Sequence, residues 1–539
     1  MTRRSESLHD DPCGLGIRRP ARRSPGWRPR SVALVVGGLV CLWVSFATAG
    51  PSTLAARLDK QIARAPLGSG AVGMLVVRAS DGAVVYARGA DRPLVPASNQ
   101  KILTALAALD RFGPSHRFAT RIWAPAALDA DGTVASLLVE GGGDPVMNSE
   151  DWWRIAADLR REGLRLVRGD LRVDDTRFDP PGWHPSWGRI SSRAYHAPVG
   201  ALTANYGAFF VSVWPRSAVG DPVRVDVDPP VDYLRVRNRA TTVARGRPPR
   251  LSIDRAAGPA GEGAPDEVIR VDGAARVGEP VDRFPRSVRD PGLYAGSLLA
   301  RQLEANGVAV EGDVRRSPRQ DEPLTLLLEH RGRTISESVM LCMKYSNNSI
   351  AESLIKNLGA WQGVPEGGEP TRQGEWVGGV RALREQLSGA GLDLAQARLV
   401  DGSGLSVSNR LTPRQLVRAL DLGRRSFRYG PEFMAALPIA ERDGTLEKRL
   451  DGGQGRIRAK TGLLSDAKVT ALSGYAERAD GDMLIFSIIV NGHSGGSGGA
   501  MDAVDRLAAT LLDAPLPPST GSAPAAPVGG PARSASAGR

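Results

Sequence analysis

Apolar residues recur at helical spacing through Leu54-Ala55-Ala56-Arg57-Leu58-Asp59-Lys60-Gln61-Ile62, which predicts an opening helix. Two strand-like runs follow, Val72-Gly73-Met74-Leu75-Val76-Val77-Arg78 and Ala83-Val84-Val85-Tyr86-Ala87. Asp81-Gly82 lies between them, a hairpin signal. Next, Ile102-Leu103-Thr104-Ala105-Leu106-Ala107-Ala108-Leu109 predicts a buried helix, entered through Pro96-Ala97-Ser98-Asn99-Gln100-Lys101. From about Phe118 to Pro285 the texture changes to short strand-like segments with dense turn signals, interrupted by one helix from Trp152 to Leu166. Gly258 to Gly263 reads as a loop. Helical periodicity returns at Gly292 to Asn306, Ile335 to Leu358, Val377 to Leu387 and Pro413 to Gly423. Three strands then close the pattern, at Ile457 to Lys460, Val469 to Tyr475 and Leu484 to Val490, before a helix from Met501 to Leu512. This order predicts an α+β fold in which the first and last strands share one antiparallel sheet with helices on its faces.

The chain is long enough, at 539 residues, to bury a large core, and its 42% apolar and 24% charged residues are ordinary for a globular protein. Its net charge is +12. No lysine/arginine block is interleaved with aromatics, so nucleic-acid binding is not expected. A basic exterior suits an anionic polymer or membrane surface. Residues 1–50 combine arginine pairs, an apolar run from Ser31 to Phe46 and the small-residue stretch Ala47-Thr48-Ala49, the pattern of a secretory signal or an N-terminal anchor. Export to the periplasm or another extracytoplasmic space is therefore expected. Cys13 and Cys41 fall in this leader, leaving Cys342 without a partner for an internal disulfide. Residues 514–539 are rich in Pro, Ala, Ser and Gly and read as a disordered tail.

Candidate chemistry begins at Ser98 and Lys101. Placed three residues apart at a helix start, they share a face. A desolvated lysine has a lowered pKa and can take the proton that makes a serine hydroxyl nucleophilic. The helix terminus adds a positive field where negative charge would develop. In the later helical region, Ser346 and Asn348 form an S-x-N, a hydroxyl able to relay a proton and an amide able to hold substrate or lysine. In the closing strands, Lys460-Thr461-Gly462 offers a positive charge, a hydroxyl for a carboxylate and a glycine that lets a substrate backbone approach the strand edge. Each motif alone is weak. His116, His184, His196, His330 and His493 show no metal-ligand spacing, so neither metal nor cofactor is expected. Gly68-Ser69-Gly70-Ala71-Val72-Gly73 fits a dinucleotide fingerprint but precedes its strand, which defeats that reading. Gly495 to Gly499 reads as a flexible loop, and Asp174-Asp175 as a strand-end carboxylate pair on the surface.

The three motifs in this order resemble the active-site serine penicillin-interacting enzymes, which use S-x-x-K, S-x-N and K-T-G. The long gap between Ser98 and Ser346 resembles the D-alanyl-D-alanine carboxypeptidase/endopeptidase family of low-molecular-mass, class C penicillin-binding proteins, whose members carry β-rich domains between the first two motifs. Asp401-Gly402-Ser403-Gly404-Leu405-Ser406, Asn409-Arg410-Leu411-Thr412-Pro413, Asp443-Gly444-Thr445-Leu446 and Ala471-Leu472-Ser473-Gly474-Tyr475 are also similar to that family. The resemblance runs from about Leu54 to Leu512 and implies a penicillin-binding-protein/β-lactamase-like fold. The organisation it implies is a discontinuous chemical domain (51–117 and 286–513) around an inserted β-rich part (118–285). It further implies serine-type D-Ala-D-Ala carboxypeptidase activity, with or without endopeptidase activity, on peptidoglycan muropeptides, and inhibition by β-lactams. Ser98, Lys101, Ser346, Asn348 and Lys460 would be catalytic; Thr461, Gly462 and the N–H of residue 463 would bind substrate. Leu463 departs from the pattern, standing where a small hydroxyl residue is usual. A β-lactamase-type hydrolase and a catalytically weak wall-binding protein are the alternatives. Membrane association, peripheral or through the N-terminus, is a further option.

Overall fold

The structure, a computed structural model, describes residues 53–258, 267–365, 368–370 and 372–516. The leader, nearly all of the tail and most of the Gly258 to Gly263 loop lie outside the described residues. The periodicities materialise closely. The opening helix spans Leu54–Arg64 and buries Leu54, Leu58 and Ile62, one side of the helix. Strands Ala71–Arg78 and Val84–Arg88 form the hairpin, with Gly82 in the left-handed region its turn requires. Strands Ile457–Leu464, Val469–Glu477 and Met483–Asn491 complete a five-stranded antiparallel sheet. The order across it is 457–464, 469–477, 483–491, 71–78, 84–88, so the first and last strands of the chain do meet, Met74 facing Ile488.

Helices cover both sheet faces, which is why Met483–Asn491 is apolar along its length rather than alternating. One face carries Leu54–Arg64 and Ser497–Thr510, packed through Leu58, Phe486, Val504 and Leu507. Part of the glycine-rich run at 495–499 is thus the start of a helix, not a flexible loop. The other face carries Lys101–Phe112, in which every residue from Lys101 to Leu109 is buried. Around it pack Ile335–Lys344, Asn348–Ala360 and Pro413–Arg425. The last begins at a capping box in which Thr412 and Gln415 bond each other's backbone, with Pro413 at its first position.

The β-rich part has a core of its own, built on Ile122, Val139, Trp152, Val211, Ile269 and Leu298. Its largest sheet runs 314–316, 171–174, 137–141, 117–124, 325–334. The outgoing strand Arg117–Ala124 pairs antiparallel with the returning strand Thr325–Thr334, and Thr334 faces Arg117. Exit and return are therefore adjacent. The return falls later than the change of texture at 286: helix Pro291–Ala305 and three further strands pack with this second core. Helical periodicity of the Pro291–Ala305 segment marked it as helix but carried no information about which core it joins. Asp174 and Asp175 are buried rather than on the surface: Asp175 pairs with Arg316, and Asp174 accepts from Thr176 and the Arg319 backbone.

Candidate active site

Ser98 lies on a short 3-10 turn, Ala97–Gln100, and Lys101 is the first residue of the α-helix that continues from it. The expectation of one helical face thus holds in a modified form. A 3-10 turn has about three residues per turn, so side chains three apart stack directly over one another. Ala97, just before the serine, takes a left-handed φ of 48°, rare for a residue with a Cβ. It is fixed by close packing: Gly404 must be glycine, because a Cβ there would lie 1.9 Å from the Ala97 carbonyl oxygen. Gly462 plays a similar part from the sheet, where a Cβ would meet the Pro96 oxygen at 3.0 Å and Ala97 Cβ at 3.1 Å. The glycine of the K-T-G thus lets the edge strand approach the serine turn.

Lys101 is wholly buried and its Nζ makes three hydrogen bonds, donating to Ser98 Oγ at 3.1 Å, Asn348 Oδ1 at 2.7 Å and the Ser403 carbonyl at 2.8 Å. Among the described residues no carboxylate oxygen forms an ion pair with it. Burial pulls its pKa down to about 8, against the upward pull of Glu352 and Asp401. Asn348 turns its other end outward, donating from Nδ2 to the Tyr195 carbonyl at 2.9 Å. Its amide is thereby fixed between the lysine and a residue of the β-rich part.

Ser346 occupies the break between helices Ile335–Lys344 and Asn348–Ala360, at a left-handed φ of 56°, and Asn347 caps the second helix through Ile350 N. Sequence periodicity ran through this break as one helix. The Ser346 hydroxyl accepts from Lys460 Nζ at 2.8 Å, and Lys460 also donates to the Thr461 carbonyl at 2.9 Å. Lys460 is fully buried, and burial together with the nearby Lys101 pushes its pKa well below the ordinary lysine value. The positive charge expected there is therefore conditional; an incoming carboxylate favours it. The Thr461 hydroxyl bonds Thr445 Oγ1 at 2.9 Å, and Leu463 stands at the rim, 40% exposed. All eight sequence-predicted residues thus belong to one neighbourhood, six of them in two hydrogen-bonded chains.

Several supporting groups were not singled out from sequence. Glu352, wholly buried, accepts from Ser403 N at 2.7 Å, Gly402 N at 3.1 Å and Trp376 Nε1 at 3.0 Å. Burial and the neighbouring Asp401 raise its pKa to about 7. Asp401 accepts from Gly404 N, Ser406 N and, from the β-rich part, Trp187 Nε1. These carboxylates shape the loop whose Ser403 carbonyl receives Lys101. A signal for Glu352 is its place four residues after Asn348, on the same helical face. Nothing in the sequence marks Tyr195. Cys342 is buried near both lysines, and burial lifts its pKa to about 11, so it remains a neutral thiol. Among the described residues no cluster of side chains could hold a metal ion.

A helix-flanked antiparallel sheet whose edge strand backs a half-buried serine beside a wholly buried lysine is an arrangement suited to serine-type hydrolysis. The comparisons with known proteins specify the family. Residues 54–511 match the D-Ala-D-Ala carboxypeptidase 3 (S13) family, and the chain belongs to it. It is 38% identical over 454 residues to a D-alanyl-D-alanine carboxypeptidase of an Actinomadura species, covering 80% of this chain and 79% of that one. It is 28% identical over 463 residues to carboxypeptidase DacB of Mycolicibacterium smegmatis, covering 82% and 80%. Its fold is similar to that of penicillin binding protein 4 (dacB) from Haemophilus influenzae, with a TM-score of 0.69 at 22% identity, over 84% of this chain and 98% of the other.

Proposed function

We propose that Ser98 is the nucleophile of a D-alanyl-D-alanine carboxypeptidase acting on the stem peptides of peptidoglycan. The observation that carries this assignment is Lys101 Nζ, wholly buried, 3.1 Å from Ser98 Oγ. In its neutral form Lys101 takes the hydroxyl proton as Ser98 attacks the carbonyl between two D-alanines. Backbone N–H groups of Ser98 and Leu463 face the developing oxyanion. The leaving amine receives a proton through Ser346, and Asn348 holds both Lys101 and the substrate backbone. Lys460 and Thr461 receive the terminal carboxylate. Collapse of the tetrahedral intermediate expels D-alanine and leaves an ester on Ser98, which water hydrolyses to regenerate the serine. An isopeptide cross-link could enter the same cycle as an endopeptidase substrate. Residues 51–116 and 335–513 supply this chemistry, and the part between them shapes the approach.

A β-lactam presents the same carbonyl in a strained ring and forms a lasting ester. The Haemophilus influenzae relative has also been solved in complex with a novel β-lactam, in keeping with this reading. Action outside the cytoplasm follows from the substrate, with residues 1–50 as the export signal or anchor. Among the described residues no helix is long and apolar enough to cross a membrane. Mass spectrometry after incubation with labelled penicillin tests the assignment. One adduct should form on the Ser98 peptide and none on Ser98→Ala; an adduct that persists in that variant refutes it.

A further inference from the structure

The helix that begins at Lys101 ends at Phe112, beside a cavity of about 490 Å³. Its charge is unbalanced. Among the described residues, six arginines and three carboxylates line it. The carboxylates are engaged within the protein: Arg121 donates to Glu329 at 3.0 Å and to Glu369 at 2.9 Å, and Asp110 accepts from Gln386 at 2.6 Å and Tyr429 at 3.2 Å. Arg111, Arg117 and Arg428 are left over. Arg111 donates to the Trp361 and Val364 carbonyls and Arg117 to the Gly332 carbonyl, and none of the three has an ion pair among the described residues. Guanidinium groups with donors to spare suit the oxygens of a phosphate.

The cavity floor is aromatic. Phe112 and His116 stack at 5.2 Å, and Trp361 meets both edge-on. His116 Nε2 and Trp361 Nε1 are buried there without a hydrogen-bond partner among the described residues, and each can serve an oxyanion. Burial and the charges of Arg111 and Arg331 hold the His116 pKa below its ordinary value, and a bound anion would pull it back up.

A second observation comes from the rim. Arg428 lies over Gly113, the cap of the same helix, 3.7 Å from where a Cβ would stand, and the preceding residue, Phe427, is fully exposed. One exposed ring is ordinary on any surface. This ring directly precedes an arginine of the cavity wall, and Arg425, two residues before it, is exposed as well. An aromatic ring with arginines beside it is the pattern of an interfacial anchor, the ring entering the edge of the acyl region and the cations meeting anionic headgroups. Ser98 lies at the far end of this helix, whose twelve residues span roughly 18 Å, so a membrane here leaves the serine uncovered.

We propose that this face docks on an anionic lipid bilayer, Phe427 entering the interface while Arg111, Arg117 and Arg428 take a lipid phosphate into the cavity. The inference is independent of the hydrolase assignment.

The test is flotation of the full chain with vesicles of phosphatidylcholine, alone or with one third phosphatidylglycerol. Residues 1–50 are common to every arm, so the readout is the difference between variants. On the anionic vesicles Phe427→Ser should weaken binding about tenfold and Arg428→Ala about fivefold. Phe427→Trp should bind as the wild type does, and melting temperatures should stay unchanged because both side chains are exposed. Equal binding by the wild type and both weakened variants overturns the proposal, as does a difference that persists on phosphatidylcholine alone. A parallel titration with inorganic phosphate follows the His116 ring by NMR. Saturable shifts there, with vesicle binding insensitive to Phe427→Ser, assign the cavity to a free anion and overturn the membrane reading.

Discussion

The two cores of this protein bury charge in opposite ways. Around the serine turn the buried charges include lysines: Lys101, Lys344, Lys356 and Lys460 are all buried, and all lie outside the β-rich part. Within 117–334 the buried ionisable groups are mainly acidic, Asp144, Asp151, Asp174, Asp175 and Glu267. The lysines themselves divide. Lys344 is paired with Asp443 at 2.6 Å, and Lys356 with Asp179 while it also sits 3.7 Å from the Trp376 ring. Lys101 and Lys460, by contrast, bond hydroxyls, an amide and carbonyls. A lysine paired with a carboxylate has its charge compensated and serves the fold. Among neutral oxygens burial lowers the pKa, which suits Lys101 as a base and leaves the charge of Lys460 to be favoured by an incoming carboxylate.

Substitution can break that comparison. The largest effect is expected at Lys101. Lys101→Met should slow acylation by labelled penicillin by about 10³-fold or more, the scale of a lost general base. Its melting temperature should not fall, because a buried ammonium without a carboxylate is removed. In the wild type, kcat/KM should rise with pH through a limb near 8, since burial has lowered the Lys101 pKa to about 8 and the neutral amine is the active form.

Next comes Asp144, whose pKa burial raises to about 7 and whose Oδ2 has no hydrogen-bond partner. The folded state holds its proton more tightly than the unfolded chain. Stability from this group is therefore full below about pH 4 and lost as pH rises towards 7. Asp144→Asn should flatten that decline by about 3 kcal/mol in denaturant titrations at pH 5 and pH 8. Lys356→Met probes the paired class. It should lower stability by about 2 kcal/mol, as it strands Asp179 and loses the ring contact, while penicillin acylation is kept. The opposite pattern at Lys356 and Lys101 would erase the distinction between them. Smallest is Glu352→Gln, which replaces an acceptor of three N–H bonds by an amide that repels one of them. It should cost about tenfold in kcat, consistent with one weakened charged hydrogen bond behind the Ser403 carbonyl. The pH limb should also move down, because Glu352 raises the Lys101 pKa.

Much of this architecture was legible from residue order. The apolar run after Lys101 dictated a buried helix, and the hairpin and closing strands carried enough alternation to fall into one sheet. The grouping of the eight candidate positions was legible as well, because the three short motifs carry complementary chemistry. What could not be read was long-range. Periodicity is local, so it ran through the break at Tyr345 to Asn347, where a left-handed Ser346 is set by its contact with Lys460. It likewise placed the helix at 291–305 without its core. Asp174 and Asp175 looked exposed because the Arg319 N–H and the Arg316 side chain that bond them lie more than a hundred residues downstream. Leu463 was visible as a departure, and the structure adds that its side chain is at the rim.

The paired strands at Arg117–Ala124 and Thr325–Thr334 have a mechanical corollary. Both strands cross side by side, so the β-rich part leaves and re-enters the rest of the chain at one place. Elsewhere it is tied back to the surroundings of the site at several points, among them the Tyr195 carbonyl on Asn348, the Trp187 indole on Asp401 and Asp179 on Lys356. A shift of the β-rich part therefore has to strain or break bonds that also hold the amide and the loop beside Lys101.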